Sequence, residues 1–191
     1  MKYFTQSLII LLLASSALLA SNNSIGINIG QSHSNYHQSN QTGSIILGNT
    51  PDETFNSYEL YGTLKQDIFG MKPYLSYTYS SNDDLKHQYI LVGLNKYYHY
   101  LYGGIVVGTG EMKWRYNPLN SSSDNDYITT SLLGGIQVGI EYKITNSIAL
   151  NLNTKVLYHN YDTKLNPSTT ATAEITHNTT TSFGMGLKYS F

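Results

Sequence analysis

Phe183 to Phe191 reads FGMGLKYSF, and its alternation decides the fold. Phe183, Met185, Leu187, Tyr189 and Phe191 fall on every second position, with Gly184, Gly186, Lys188 and Ser190 between them. A period of two is a strand period, because successive side chains of a strand point to opposite faces. The segment therefore has one apolar wall and one wall of glycine and polar groups. In a barrel that crosses a bilayer, the apolar wall meets acyl chains and the polar wall lines the interior.

The same alternation recurs upstream. From Ser24, SIGINIGQS sets Ile25, Ile27 and Ile29 against Gly26, Asn28 and Gly30. A polar stretch over residues 32–55 reads as a long loop, with Ser44 to Leu47 extending a hairpin inside it. A second strand, about Ser57 to Gln66, sets Tyr58, Leu60, Gly62 and Leu64 against Glu59, Tyr61, Thr63 and Lys65. A short turn near residues 67–71 leads into Pro73 to Ser80, where Leu75, Tyr77 and Tyr79 alternate with Tyr74, Ser76 and Thr78; Pro73 stands at the strand start, where a missing donor costs least. After the SSNDD loop, His87 to Asn95 has apolar residues on both faces, and turning Ile90, Val92 and Leu94 outward leaves Gly93 and Asn95 inside.

A turn near Lys96 to Tyr98 opens a fifth strand, Tyr100 to Tyr116. Charge sets its expected register: Glu111, Lys113 and Arg115 in lipid would each cost about 2–4 kcal/mol at mid-depth, so Tyr102, Val106, Met112 and Trp114 are expected outside. After the polar loop PLNSSSDND at residues 118–126, a sixth strand from Ile128 to Lys143 carries Leu132, Ile136, Val138, Ile140 and Tyr142 outside. Its inner face has Gly135, Gln137, Gly139 and Glu141. The seventh, from Ser147 to about Tyr161, faces lipid with Ile148, Leu150, Leu152, Val156 and Tyr158 and the interior with Asn151, Asn153, Lys155 and His159. A polar loop at residues 163–173 precedes the eighth strand. Short turns near residues 67–71, 96–98 and 144–146 alternate with polar loops, which predicts an all-β, eight-stranded, antiparallel up-and-down transmembrane β-barrel with both termini on the periplasmic side.

The N-terminal stretch has a separate role. Lys2, the apolar run Leu8 to Leu13 and the small residues ASSALLA form a secretory signal peptide, residues 1–20, cut after Ala20 or alternatively after Ala17. Residues 21–191, about 170 in number, form one barrel domain. The chain has no cysteine, so no disulfide or lipoprotein anchor supports it. Its net charge of −1 argues against a nucleic-acid partner.

The terminal strand, Phe183, Met185, Leu187, Tyr189 and Phe191, resembles the C-terminal strand of bacterial outer-membrane β-barrels, where alternating hydrophobics ending in Phe form the signature read by the barrel assembly machinery. In size and strand count the mature chain is similar to the membrane domain of outer membrane protein A and to small adhesion and serum-resistance barrels. The resemblance implies a Gram-negative outer-membrane location, contact with outer-membrane lipid, and export by the general secretory route.

An eight-stranded barrel is only wide enough for side chains to fill it. The alternation assigns Lys65, Glu141 and Lys188 to a lower charged layer and Glu59, Glu111, Lys113 and Lys155 to an upper one. Opposite charges meeting across a narrow lumen would pair and plug it. No catalytic, cofactor or metal residues are assigned. His33 in SHSN is similar to the serine–histidine motif of lipid A deacylases, but that motif belongs on a late, lipid-facing strand. His159 lies near Asp162 with no serine placed by spacing, and no ligand spacing marks a metal. Loops rich in Asn, Ser, Thr, Tyr and His suit contact with glycans or host proteins. The expected role is a structural or surface-interaction barrel, ahead of a narrow porin-like channel and a lipid-modifying enzyme.

Overall fold

The computed structural model describes residues 23–42, 54–83, 85–114, 127–168 and 171–191, and side chains for 23–35, 54–83, 85–113, 128–163 and 176–191. The expected signal peptide, the hairpin at Ser44 to Leu47 and the loop at 118–126 lie outside the described residues. Eight strands follow in chain order: β1 (Ser24–Thr42), β2 (Thr54–Thr63), β3 (Lys72–Ser81), β4 (Leu85–Tyr98), β5 (Leu101–Trp114), β6 (Tyr127–Lys143), β7 (Ile148–Ser168) and β8 (Ala171–Ser190). Each pairs antiparallel with the next, and β8 closes on β1 from Ser24↔Ser190 upward.

The stagger of this closed sheet fixes its dimensions. The path Ser24↔Thr63↔Tyr74↔Gly93↔Val106↔Gly135↔Leu157↔Thr180↔Ser34 returns to β1 ten residues above its start. With strands spaced about 4.8 Å apart, that shear gives a tilt of about 40° and a backbone radius of about 8 Å. Side chains from opposite walls can then meet at the axis.

The polarity is inside out. Ile148, Leu150 and Leu187 face outward, 39%, 47% and 49% exposed, whereas Leu91, Leu133 and Leu157 face inward at 0%, 3% and 0%. The apolar outer band covers Ile25 to Ile29 on β1, Ile90 to Leu94 on β4, Leu101 to Val107 on β5, Ile148 to Tyr158 on β7 and Phe183 to Phe191 on β8. On β7 this stretch rises about 25 Å at the inferred tilt, the height of a bilayer's apolar band. Tyr58 and Tyr158 edge the band above, and Tyr142, Tyr189 and Phe191 edge it below, all exposed. Above the band the outer wall turns polar with Gln31, His33, Gln88, Glu111 and Asn160.

Two sequence expectations need correction. On β5, Tyr102, Val106 and Met112 are buried inside, while Leu101, Ile105 and Val107 face outward, together with Thr109, Glu111 and Lys113. The charged pair escapes the lipid penalty because it lies above the apolar band, where Gln88 Nε2 donates to Glu111 Oε1 (3.2 Å). The second concerns length: β1 continues to Thr42, and β7 and β8 occupy most of the stretch read as a loop at 163–173. The second short turn likewise sits later than expected, at His99 and Tyr100, because Lys96 to Tyr98 continue β4.

Interior aromatic rings are admitted by glycine. A Cβ on Gly26 would clash with the ring of Tyr61, its cross-strand partner, and one on Gly139 with the ring of Tyr102. The rings lie across the neighbouring backbone, where a second side chain has no room. At the β2–β3 hairpin, Phe69 and Gly70 both adopt positive φ (54° and 75°), the pattern of a two-residue turn whose twist matches its strands.

Facing on β5 can be tested by paired substitutions. Ile105→Arg should destabilise the folded barrel in phospholipid vesicles by about 2–4 kcal/mol, and Thr109→Arg by under about 1 kcal/mol, in urea titrations. Equal costs at the two sites would contradict the facing.

Candidate functional site

The candidate site is the filled interior, built in three tiers. The lowest closes the periplasmic end. Lys188 Nζ on β8 donates to Glu141 Oε2 on β6 at 2.7 Å, and the Tyr97 ring packs against that of Tyr102 at 5.2 Å. The Tyr102 hydroxyl donates to Asn151 Oδ1 (3.0 Å), and Asn151 Nδ2 donates to Asn28 Oδ1 (3.1 Å), so hydrogen bonds run upward to the next tier.

Glu59 of β2 is the centre of the middle tier and is buried. Lys155, also buried, reaches across the lumen from β7 and pairs with Glu59 Oε1, which also accepts from the Tyr74 hydroxyl. Glu59 Oε2 accepts from Asn28 Nδ2 (2.8 Å) and Asn153 Nδ2 (3.2 Å). Four donors from β1, β3 and β7 thus converge on one carboxylate. That set can hold a charge out of water, since a buried ion pair is tolerated only when its remaining lone pairs are satisfied. Gln137 Nε2 donates to Asn95 Oδ1 (2.6 Å) on the far wall. The gap beside the pair, lined by Ser57, Thr78, Tyr89 and Ser182 among others, has about the volume of one water.

The upper tier is apolar and aromatic, which the sequence reading of a polar lumen missed. Tyr61, Tyr74, Tyr89, Leu91, Val106, Leu133 and Leu157 form one buried cluster that begins within the middle tier. Above it, His87, His159 and His177 are buried with Tyr161. The His87 and His159 rings lie 5.9 Å apart, and His87 Nε2 hydrogen-bonds the Tyr161 hydroxyl at 3.0 Å. His159 bonds Thr180 Oγ1 and the His177 carbonyl, each at 2.8 Å, and His177 Nδ1 bonds Ser34 Oγ at 3.1 Å. Outward residues beside them are Lys86, Gln88, Asn160, Thr176 and Asn178, with Tyr158 at the band's upper edge just below His159, so these histidines stand above the membrane-spanning part of each strand.

The charged residues expected in one lumen network are therefore dispersed. Glu59 and Lys155 meet, as do Glu141 and Lys188. Glu111 and Lys113 lie on the outer wall, and Lys65 lies exposed beyond the end of β2. Sequence reasoning did not identify Tyr74, Asn28 and Asn153 as partners of Glu59; in the structure Asn28 is its cross-strand neighbour. The residues of the terminal signature all face outward. His33 is exposed on the outer face of β1, where its Nδ1 lies 3.4 Å from Thr54 Oγ1. Among the described residues no cluster of metal-binding side chains occurs.

Removing one partner of the middle pair should be costly and removing both should not. Glu59→Gln leaves a buried ammonium uncompensated and is expected to lose about 3–5 kcal/mol in urea unfolding from vesicles. Glu59→Gln with Lys155→Met should recover most of it, and a double variant as damaged as the single one would contradict the pairing. The histidines give a pH dependence. Burial pushes His159 and His177 down to about 4 and His87 well below its ordinary value. Unfolded imidazoles protonate near 6.5, so between about 6.5 and 4 the unfolded chain binds more protons and folded stability falls as pH falls. The unfolding midpoint should drop from pH 6.5 to 5, and His87→Phe with His159→Phe should flatten that slope.

Searches of family models and of curated proteins found no match to this chain. Solved structures with a similar fold do exist. The crystal structure of Neisserial surface protein A aligns over 88% of this chain and 97% of its own, at 14% identity and a TM-score of 0.61. The N-terminal β-barrel domain of Pseudomonas aeruginosa OprF aligns over 90% and 98%, at 13% identity and a TM-score of 0.49. Ail of Yersinia pestis, in phospholipid nanodiscs, aligns over 90% and 99%, at 14% identity and a TM-score of 0.46. Eight strands closed at a shear of ten, with an apolar band about a bilayer tall on the outside, give the chain the fold of a small eight-stranded transmembrane β-barrel, the fold that Neisserial surface protein A also has.

Proposed function

We propose that the protein is a plugged scaffold that holds a surface at the cell exterior, and is neither a conduit nor a catalyst. The observation that supports this most strongly is the convergence of Tyr74, Asn28, Asn153 and Lys155 on Glu59. These side chains come from strands on opposite sides of a barrel whose backbone radius is about 8 Å, and a polar side-chain core of that kind occupies the path an ion would need. Function then belongs to the extracellular end, where β1, β7 and β8 run well past the lipid band and support the connecting segments. Rigid strands that present variable connections are a common arrangement for binding surfaces, and host proteins or glycans are the partners such a surface would suit. The outward stripe from Phe183 to Phe191 serves, in this reading, as the segment recognised by the barrel assembly machinery. Non-catalytic behaviour is supported by the placement of His87 and His159, which hydrogen-bond to hydroxyls and a backbone carbonyl and, among the described residues, to no carboxylate that would orient them as bases.

Conductance measures the plug directly. The refolded protein in planar bilayers should give no discrete, sustained openings, and regular single-channel steps would sink the reading. Lipid A and phospholipid from cells with and without the protein should have the same mass profile.

A further inference from the structure

The periplasmic opening carries more positive charge than the plug uses. Lys188 pairs with Glu141, Lys72 lies over the same Tyr97 ring as Lys188, and Lys143 sits two strands from Lys188 on the path Lys143↔Ala149↔Lys188. Lys72 Nζ and Lys188 Nζ stand 5.0 and 5.3 Å from the centre of the same ring, Tyr97. Two ammonium groups thus share one aromatic ring, one of them paired with Glu141, and Lys143 adds a third at the same end of the barrel. Lys72 and Lys143 form no ion pair among the described residues. Lys65, exposed beyond β2, adds a fourth cation on this side; Asp67 in the β2–β3 turn adds one anion, and the terminal carboxylate adds another if the chain ends at Phe191. By strand alternation Lys72, Lys143 and Lys188 share the face that looks toward the axis, while Lys96 points outward.

An excess of like charge gathered at one end of a barrel costs free energy unless an anion compensates it. Ring faces hold cations in place without neutralising them, so Tyr97 positions Lys72 and Lys188 while leaving their charge available. The excess beside Glu141 is two charges, which matches a doubly charged phosphate better than a single carboxylate. Because the lysines face the axis and not the surrounding lipid, the direction of approach is from the water of the periplasm.

We propose that the periplasmic mouth is a phosphate-binding site in which Lys72, Lys143 and Lys188 surround a phosphoryl group above the Tyr97 ring. The site is independent of whatever the extracellular end binds. A phosphate could arrive on a soluble molecule or on the headgroup of an inner-leaflet phospholipid, and the geometry favours the soluble source.

The test uses the full mature protein refolded in zwitterionic micelles at pH 7.5 and low ionic strength, with inorganic pyrophosphate as probe and thermal unfolding as readout. Pyrophosphate should raise the midpoint more than sodium chloride of equal ionic strength. Lys72→Gln with Lys143→Gln should weaken that effect at least tenfold in apparent affinity, while Lys96→Gln should leave it unchanged. Without added anion, the double variant should unfold at a higher temperature than the parent, since it relieves repulsion; that gain separates a site from a damaged fold. Bicelles with and without phosphatidylglycerol distinguish the sources: a shift with pyrophosphate alone assigns a soluble phosphate, and a shift with phosphatidylglycerol alone assigns a headgroup. Stabilisation by neither, or stabilisation that survives the double substitution, overturns the proposal.

Discussion

Every backbone N–H and C=O of a chain in lipid must find its partner within the protein, since hydrocarbon offers none. In this chain β8 closes on β1, and no sheet edge remains within the lipid band. Closure with eight strands and a ten-residue stagger then leaves no freedom in width. A backbone radius of about 8 Å is too narrow for a solvent channel and too wide to be empty, so the inward side chains must pack and satisfy one another.

The interior meets that requirement differently at each depth. Where the barrel lies deepest in lipid, one carboxylate takes four donors, and the partners come from strands that are distant in sequence. Higher up, leucine and tyrosine fill the space, while lower down Gly26 and Gly139 on neighbouring strands let the Tyr61 and Tyr102 rings lie flat against backbone. Three buried histidines among hydroxyls then mark the exit into water. An ion pair near the membrane centre with apolar packing above it makes the plug continuous.

Legibility in the sequence follows the contrast between a strand's two walls. Where lipid lies on one side and a polar interior on the other, as at Ile25 to Gly30, Ile136 to Tyr142 and Phe183 to Phe191, the alternation was plain and both strand and facing could be read. Past the lipid, the contrast disappears. Ser32 and Ser34 face in while Gln31, His33 and Asn35 face out, so both walls of β1 are polar and the strand reads as loop. β5 failed for the opposite reason: its inner wall carries Tyr102, Val106 and Met112 and its outer wall Leu101, Ile105 and Val107, so apolarity cannot rank them. Charge was used to choose between them, but Glu111 and Lys113 lie above the lipid, where their charge carries no such penalty. The interior partners of Glu59 were hidden because register brings Asn28 to it and barrel closure brings Tyr74 and Asn153 within reach, neither of which follows from spacing along the chain.

The central claim is that the apolar wall faces acyl chains, and the chain's lack of cysteine makes it simple to probe. Single cysteines at Leu150 and Leu187, and at inward-facing Leu133 and Leu157, can be labelled with a small fluorophore, the inward pair in the unfolded chain before refolding, and quenched by brominated acyl chains in vesicles. The account predicts strong quenching at Leu150 and Leu187 and almost none at Leu133 and Leu157. Quenching at the second pair with none at the first would contradict it.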